Sequence, residues 1–361
     1  MPKSEVVAFL GPKASYTHQA ALSYFTSQDH DLEPQIAIED VFAAVQSGAA
    51  INGVVPFENS TNGSVLFTLD LFADLHKKYP DILVCGEVYI EVHHCLLGHA
   101  TAPSHSIPPA TASSLHAAQG ARSPSSSGHQ TPTTSLPNPT EARSKPHSSL
   151  GHIKKIYSHP QAWGQCKTFL SCYLKGVERI DVSSTSKAAE LVAGDASGAS
   201  AAISSAIAAQ MNGLDFLARD IEDNSDNATR FFVLRKAPPD ADGVGESAVE
   251  GAEDGSGIVD EAGDGREEFK SLVSFTVSHE DAGALADSLA VFKRHRLNLT
   301  SINARPSGVL PWHYIFFVEF QGRMVGGRRE GKGAVGRAVA ELNALARSCR
   351  WLGSWKNALV R

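Results

Sequence analysis

The sequence predicts an α/β protein of two lobes, followed by a separate β-α-β-β-α-β unit. Three observations predict this. Short apolar runs bounded by turn residues alternate with helical stretches through residues 1–236. Two segments, about 101–150 (Ser, Pro, Thr, His) and 237–268 (Gly, Ala, Asp, Glu), are too poor in apolar residues to offset the entropy of ordering them. Residues 269–361 then follow a different order of strands and helices.

In the first lobe, Val6 to Leu10 reads as a buried strand, Gly11-Pro12 as a turn, and Ser15 or Thr17 as the cap of a helix through Ala20 to Phe25. Gln35 to Ile38 precedes a helix from Glu39 to Gln46, and Asn52 to Phe57 precedes one from about Val65 to Lys78. Strand-like sequence on both sides of 101–150, Ile82 to Leu97 and Ile153 to Ser158, makes that segment a disordered insertion within a domain. After it come a helix from Gln161 to Leu174, a strand from Val177 to Val182, a helix capped by Ser183 or Ser184, and a strand, Ala201 to Ser204, feeding a helix to Gly213. The alternation argues for largely parallel sheets, with one lobe mainly before the insertion and one mainly after it.

The acidic stretch reads as a linker. Beyond it come strand Leu272 to Ser278, helix Ala282 to His295, strands Asn298 to Arg305 and Tyr314 to Phe320, helix Ala334 to Ser348 and strand Arg350 to Trp355, a ferredoxin-like order. The Gly-rich piece from Gly322 to Gly336 reads as a loop. Its Gly331-Lys332-Gly333 lacks the Ser or Thr and the spacing of a phosphate-binding loop.

Composition narrows the function. The chain has 361 residues, 42% of them hydrophobic, enough for a large core. The net charge of −7 is concentrated in residues 237–268, which hold eleven acidic residues and one arginine. The rest is nearly neutral, with no basic stripe for nucleic acid, no apolar run long enough to span a membrane, and no secretory leader, so a cytoplasmic protein is expected. Five cysteines, odd in number and without Cys-x-x-Cys spacing, argue for reduced, structural thiols and against a zinc site.

Polar clusters follow the predicted strands, where helix N-termini collect anions: Gly11 to His18, Glu58 to Gly63, Ser158-His159-Pro160-Gln161 and Ser183-Ser184-Thr185. Neutral donors of this kind suit a small dicarboxylate, each bond to a charged group being worth roughly 1.5–3 kcal/mol. The same residues serve equally as helix caps and turns, and for Ser183, Ser184 and Thr185 capping is the simpler reading.

The runs Gly53 to Ser60, Ser158-His159-Pro160-Gln161 with Gln165-Cys166, Ser184-Thr185 and Asn227-Ala228-Thr229-Arg230-Phe231 resemble, in order, the signature segments of prephenate dehydratase, with Phe9-Leu10-Gly11-Pro12 resembling its opening strand and turn. Residues 269–361 resemble the ACT domain that follows many such enzymes, through Gly283-Ala284-Leu285-Ala286 and Asn303-Ala304-Arg305-Pro306. The resemblance implies a cytoplasmic, cofactor-free and metal-free lyase that converts prephenate to phenylpyruvate, the committed step toward phenylalanine. It implies a catalytic domain, residues 1–236, shaped like a periplasmic binding protein with a cleft between its lobes.

By the same analogy Thr229 stands at the leaving hydroxyl, with Glu58 a candidate proton source if burial raises its pKa, and Asn59 beside it in catalysis. Ser60, Ser158, Gln165, Ser184 and Thr185 are then expected to bind the substrate. Arg230 either steers a carboxylate or forms a structural ion pair, and His159 is expected to be a structural hydrogen-bonder rather than a base. L-phenylalanine would bind a homodimer or higher oligomer at Gly283, Ala284, Leu285, Asn303, Arg305 and Pro306. Ala286 and Asn303-Ala304 depart from the usual Val and Glu-Ser of those motifs. Two alternatives stay open: an arogenate dehydratase, and a non-catalytic amino-acid sensor on the same fold.

Overall fold

A computed structural model describes residues 5–26, 29–100, 141–238, 268–325 and 333–359. The chain divides into two compact units: Met1–Gly11, Thr17–Ile90 and Ala228–Arg361 form one, Pro12–Tyr16 and Glu91–Asn227 the other.

The first unit opens with β1 (Glu5–Leu10), whose buried run Val7-Ala8-Phe9 is covered on both faces. After α1 (Tyr16–Tyr24), β1 pairs in parallel with β2 (His30–Gln35) and, beyond α2 (Ile38–Ser47), with β3 (Asn52–Asn59). The Asp40 carboxylate starts α2 by accepting the Ala37 N–H at 2.9 Å. The apolar stripe of Ile38, Val41, Phe42 and Val45 lies so close to β3 that a Cβ on Gly53 would stand 2.7 Å from Val41. A short return strand, β4 (Gly63–Ser64), pairs with the end of β3. Next come α3 (Leu66–Ala73) and β5 (Ile82–Glu91). The helix expected to reach Lys78 stops at Ala73, because Asp74 turns left-handed (φ 47°) and its carboxylate accepts the N–H groups of Lys78 and Tyr79 at 2.7 and 3.0 Å.

The second unit contains β6 (Cys95–Gly98), β7 (Lys155–Ser158), α4 (Pro160–Gln165), α5 (Lys167–Tyr173), β8 (Glu178–Asp181), α6 (Thr185–Ala193), β9 (Ser200–Ser204), α7 (Ala206–Asn212) and β10 (Asp215–Ala218). They form a five-stranded sheet in the order β10-β6-β9-β7-β8, parallel through β7, β8 and β9 and antiparallel at β6 and β10. The stretch Ile82 to Leu97 is thus two strands in two sheets. The expected helix Gln161 to Leu174 breaks at Cys166, where the Asp223 carboxylate caps α5 by accepting the N–H groups of Lys167 and Thr168 at 3.0 and 3.1 Å. Residues 141–150, assigned above to the insertion, belong to this unit: Leu150 is buried, Ala142 packs on the same core, and the His147 N–H donates to Leu217 O at 2.8 Å. Residues 101–140 and 239–267, the rest of the expected insertion and most of the linker, lie outside the described residues.

The chain re-enters the first unit as β11 (Ala228–Lys236), antiparallel to β3. It continues with β12 (Phe269–Thr276), α8 (Ala284–Arg294), β13 (Leu299–Pro306), β14 (Tyr314–Gln321), α9 (Gly333–Leu345) and β15 (Ser348–Lys356). These last strands form the expected ferredoxin-like antiparallel sheet, β13-β14-β12-β15. Both units therefore hold mixed sheets rather than largely parallel ones.

The C-terminal segment is not a free-standing domain. Its sheet continues through β15 and β5 into β11, β3, β1 and β2, ten strands with β4. The junction is at Gly353, opposite Val84, where φ is 131° and any Cβ would collide with the Val84 backbone. Alternation along β14 explains the continuity. Phe316, Val318 and Phe320 face a core shared with α8 and α9, whereas Ile315 and Phe317 face a core with Phe42, Phe57, Phe72, Phe232 and Trp355. In the latter, Phe57 stacks on Phe232 at 3.9 Å between ring centroids, and Trp355 meets Phe232 edge-on at 5.1 Å.

Candidate functional site

In the first unit the antiparallel pairing of β3 and β11 sets Thr229 opposite Asn59 and Arg230 opposite Glu58. The Asn59 side chain is fixed from both ends. Its Oδ1 accepts the backbone N–H groups of Thr61 and Asn62 at 3.0 and 2.9 Å, so the amide nitrogen is the end that faces β11. There Nδ2 donates to Thr229 Oγ1 at 3.0 Å and to Ala228 O at 3.2 Å. Thr229 Oγ1 is therefore an acceptor toward Asn59, and its own hydrogen is directed elsewhere. Among the described residues nothing accepts that hydrogen. The result is a half-buried hydroxyl poised to donate.

Ser60 ties the same strands together. Its Oγ accepts the Ala228 N–H, and its own N–H donates to Ala228 O, both at 2.9 Å. Glu58 is not enclosed by its surroundings. Its side chain is 36% exposed, with Arg230 Nη1 3.9 Å away.

Arg230 forms the ion pair that the sequence offered as one of two readings. It is 6% exposed, its Nε donates to Glu87 Oε2 at 2.8 Å, and its Nη2 meets Glu319 Oε2 at 2.5 Å. Lys270 Nζ completes a quartet, 3.2 Å from Glu87 Oε1 and 3.6 Å from Glu319 Oε1. Burial alone would push the Arg230 pKa down, but Glu319 and Glu87 outweigh it and raise it. Burial likewise opposes the Glu87 charge, yet Arg230 and Lys270 hold its carboxyl below the ordinary range. Sequence reasoning missed Glu87, Lys270 and Glu319. The available signal was a charge at an alternate position inside each apolar strand: Glu319 shares a face with Ile315 and Phe317, and Lys270 with Leu272.

In the second unit Gln165 Oε1 lies 2.6 Å from His94 Nε2. Burial lowers the His94 pKa, so the ring is neutral; with its proton on Nε2 it donates to Gln165, leaving the Gln165 amide hydrogens for another acceptor. His94 Nδ1 then faces the Tyr16 hydroxyl at 3.5 Å, while that hydroxyl donates to His93 O at 2.9 Å. Glu222 anchors the segment, accepting the His94 N–H at 2.8 Å and contacting His93 Nδ1 at 3.2 Å and Arg143 Nη1 at 3.1 Å. His93, Asp220 and Glu222 have the donor set for a metal ion, but the Arg143 guanidinium already stands on the Glu222 oxygen that His93 shares. Sequence reasoning missed Tyr16, His94, Arg143 and Glu222 because they come from four separate segments.

The other expected binding residues hold structural bonds. Ser158 is fully buried and donates to Ile203 O at 2.9 Å. Ser184 accepts the Lys187 N–H at 3.0 Å as the cap of α6, and Thr185 is the first residue of that helix. His159 is the structural hydrogen-bonder expected, accepting the Gln161 N–H at the start of α4. Of the expected regulatory residues, Gly283 caps α8 in a left-handed conformation (φ 87°), and Ala284 and Leu285 open that helix. Asn303, Arg305 and Pro306 lie on β13. Asn303 Oδ1 accepts from Ser64 at 2.7 Å, and Arg305 forks onto Asp70 at 2.6 and 2.9 Å. All five cysteines are free thiols, and among the described residues no helix is long and apolar enough to cross a membrane.

Similarity to known proteins points the same way. A family model described as prephenate dehydratase matches residues 7–121 and 142–239. The chain is 31% identical to the bifunctional chorismate mutase/prephenate dehydratase of Aquifex aeolicus, over the whole of this chain and 76% of that one. It is 31% identical to a protein of Saccharomyces cerevisiae named a probable prephenate dehydratase, over 87% of this chain and 86% of that one. Among solved structures, the prephenate dehydratase of Arthrobacter aurescens in complex with L-Phe shares the fold, with a TM-score of 0.68 and 24% identity over 98% of this chain and 90% of that one. A structure described as a quorum quenching acylase shares it too, at 0.66 and 21% over 98% of each chain, so the fold by itself does not specify the reaction. The matched segments include β3 with Glu58 and Asn59, α4 with Gln165, and β11 with Thr229, and on that ground the chain belongs to the prephenate dehydratase family.

Proposed function

We propose that the chain converts prephenate to phenylpyruvate, with the Thr229 hydroxyl donating a hydrogen bond to the departing ring hydroxyl. Loss of carbon dioxide and hydroxide from the cyclohexadiene leaves an aromatic ring, so the driving force resides in the substrate. The protein has to orient the ring and assist the leaving group. The observation that carries this reading is the double anchoring of Asn59. It makes Thr229 Oγ1 an acceptor on one side and leaves its hydrogen for the substrate. A threonine hydroxyl is too weak an acid to give up a proton outright, so Thr229 stabilises the departing oxygen through its hydrogen bond, and the proton that turns the hydroxide into water comes from the bulk solvent. In the second unit Gln165, its carbonyl oxygen taken up by His94, and Thr185, at the start of α6, are proposed substrate-binding residues on the family resemblance alone. Ser60, Ser158 and Ser184 act by holding their strands and helix in place.

L-phenylalanine is the proposed regulatory ligand of the C-terminal segment, acting on a homodimer or larger oligomer at Gly283 to Leu285 and Asn303 to Pro306. The test is incubation of the purified chain with prephenate and, separately, with arogenate, scoring phenylpyruvate and phenylalanine, with and without added phenylalanine. Turnover of prephenate is expected; product from arogenate alone would reassign the substrate, and product from neither would refute the enzyme.

A further inference from the structure

We propose that Glu319, on the C-terminal strand β14, is a positioning residue for the Thr229 site, acting through Arg230; this rests on the functional reading above. Three observations carry it. Arg230 follows Thr229 directly and stands opposite Glu58 across the β3–β11 pair, so its side chain helps fix the backbone from which the Thr229 hydroxyl projects. The Arg230 guanidinium is held by two carboxylates from different parts of the chain, Glu87 on β5 and Glu319 on β14. Glu319 is in turn oriented by β13, where the exposed Thr300 donates to its Oε1 at 2.7 Å. A line of contacts therefore runs from an edge strand of the C-terminal sheet to the residue beside the proposed hydroxyl donor.

A second contact from the same strand reaches the other side of the site. Ser64, paired with Glu58 in the β3–β4 return, donates to Asn303 Oδ1 on β13 at 2.7 Å. A shift of β13 along its length would move both Arg230, through Thr300 and Glu319, and Glu58, through Ser64. The carboxylate of Glu319 is not within reach of the reacting atoms in this scheme. Its effect is on geometry, so it should alter turnover while leaving substrate affinity nearly as it was.

The test uses the full chain with prephenate. Glu319→Gln keeps the shape of the side chain and removes its charge; Glu319→Asp keeps the charge on a shorter stem. Thr300→Val changes an exposed residue whose loss leaves the core intact. Glu319→Gln is expected to lower kcat about tenfold with KM within about twofold, Glu319→Asp to recover part of that loss, and Thr300→Val to lower kcat by a few-fold. Circular dichroism and active-enzyme titration report whether each variant is folded. If Glu319→Gln does not fold, Thr300→Val decides. Native-like folding with kcat within twofold of wild type in the variants that fold would overturn the proposal. So would a loss of kcat in strict proportion to the unfolded fraction. Wild-type chain inert toward prephenate would overturn the functional reading and this proposal with it, whereas active wild type with unaffected variants would overturn this proposal alone.

Discussion

Replacing Thr229 by valine exchanges a hydroxyl for a methyl of nearly the same size, and the structure separates its effect on stability from its effect on turnover. The exchange removes the acceptor for one Asn59 Nδ2–H, but the same nitrogen still donates to Ala228 O at 3.2 Å and Asn59 Oδ1 still holds Thr61 and Asn62. The lost bond is a neutral one at a half-buried position, so the stability cost is about 1 kcal/mol. Loss of a preorganised donor to a charge that develops in the transition state costs roughly 3–4 kcal/mol, or about 10²–10³ in kcat. Thr229→Val should therefore melt within a few degrees of wild type and turn prephenate over at least a hundredfold more slowly. The assay is phenylpyruvate formation under saturating prephenate, paired with thermal denaturation of the same preparation. A variant with near-normal kcat would remove the hydroxyl from the mechanism. Thr229→Ser, which retains the donor, should keep most of the activity.

The remaining predictions concern the frame around that hydroxyl. Truncation after residue 238 strips Phe57, Phe72 and Phe232 of their cover by Phe317, Leu352 and Trp355; at roughly 1.5–3 kcal/mol for each large side chain re-exposed, the loss approaches the whole stability of a domain. The truncated chain should lack a cooperative melt, and an active, folded product would show the C-terminal segment to be independent. His93 has its pKa raised from 6.5 to about 9, chiefly by its hydrogen bond to Glu222. Because the folded value lies above the unfolded one, the stabilisation is complete below about pH 6.5 and is lost as pH rises through about 9. The ring is partly exposed, so the effect is modest, but a fall in Tm between pH 6.5 and 9.5 should appear in wild type and be reduced in His93→Gln.

Periodicity and turn chemistry made most elements legible: the strand-helix alternation of the first 236 residues and the C-terminal β-α-β-β-α-β order both describe the structure. Boundaries failed at β2, where the polar edge strand His30–Gln35 stands in place of the expected Gln35 to Ile38, and where a side chain rather than a pattern ends the element. Asp74 stops α3, and Asp223, distant in sequence, restarts the helix broken at Cys166. The larger miss was the continuity of the C-terminal sheet with the first unit. It depends on β14 being apolar on both faces and on Gly353 admitting the Val84 backbone, neither of which local propensity distinguishes from an ordinary strand in a separate domain. At the candidate site, the motif proposes Glu58, Asn59 and Thr229, and the β3–β11 register sets them side by side. Tyr16, His94 and Glu222 were not singled out, because each lies in a polar run of its own segment and no local pattern shows that these runs meet.

The quartet of Arg230, Lys270, Glu87 and Glu319 is hard to justify by stability. All four side chains are at most 7% exposed, and the cost of desolvating them offsets most of their mutual attraction. Apolar replacement of such clusters is commonly neutral or stabilising by about 1–4 kcal/mol, whereas removing one member strands a charge and costs about 3–5 kcal/mol. The ions do supply direction: a forked guanidinium bound to two carboxylates fixes the orientation of the Arg230 side chain, and an apolar contact does not. Stability and turnover should then respond in opposite senses to removal of the whole group. A chain carrying Arg230→Met, Lys270→Met and Glu319→Leu, with Glu87→Gln to keep the acceptor for Ala358, should melt at or above the wild-type temperature. The same chain should have a lower kcat. A quadruple variant that is both as stable and as active as wild type would mean that Thr229 holds its geometry through Asn59 and Ser60 alone, and that the ionic group contributes nothing the apolar core could not.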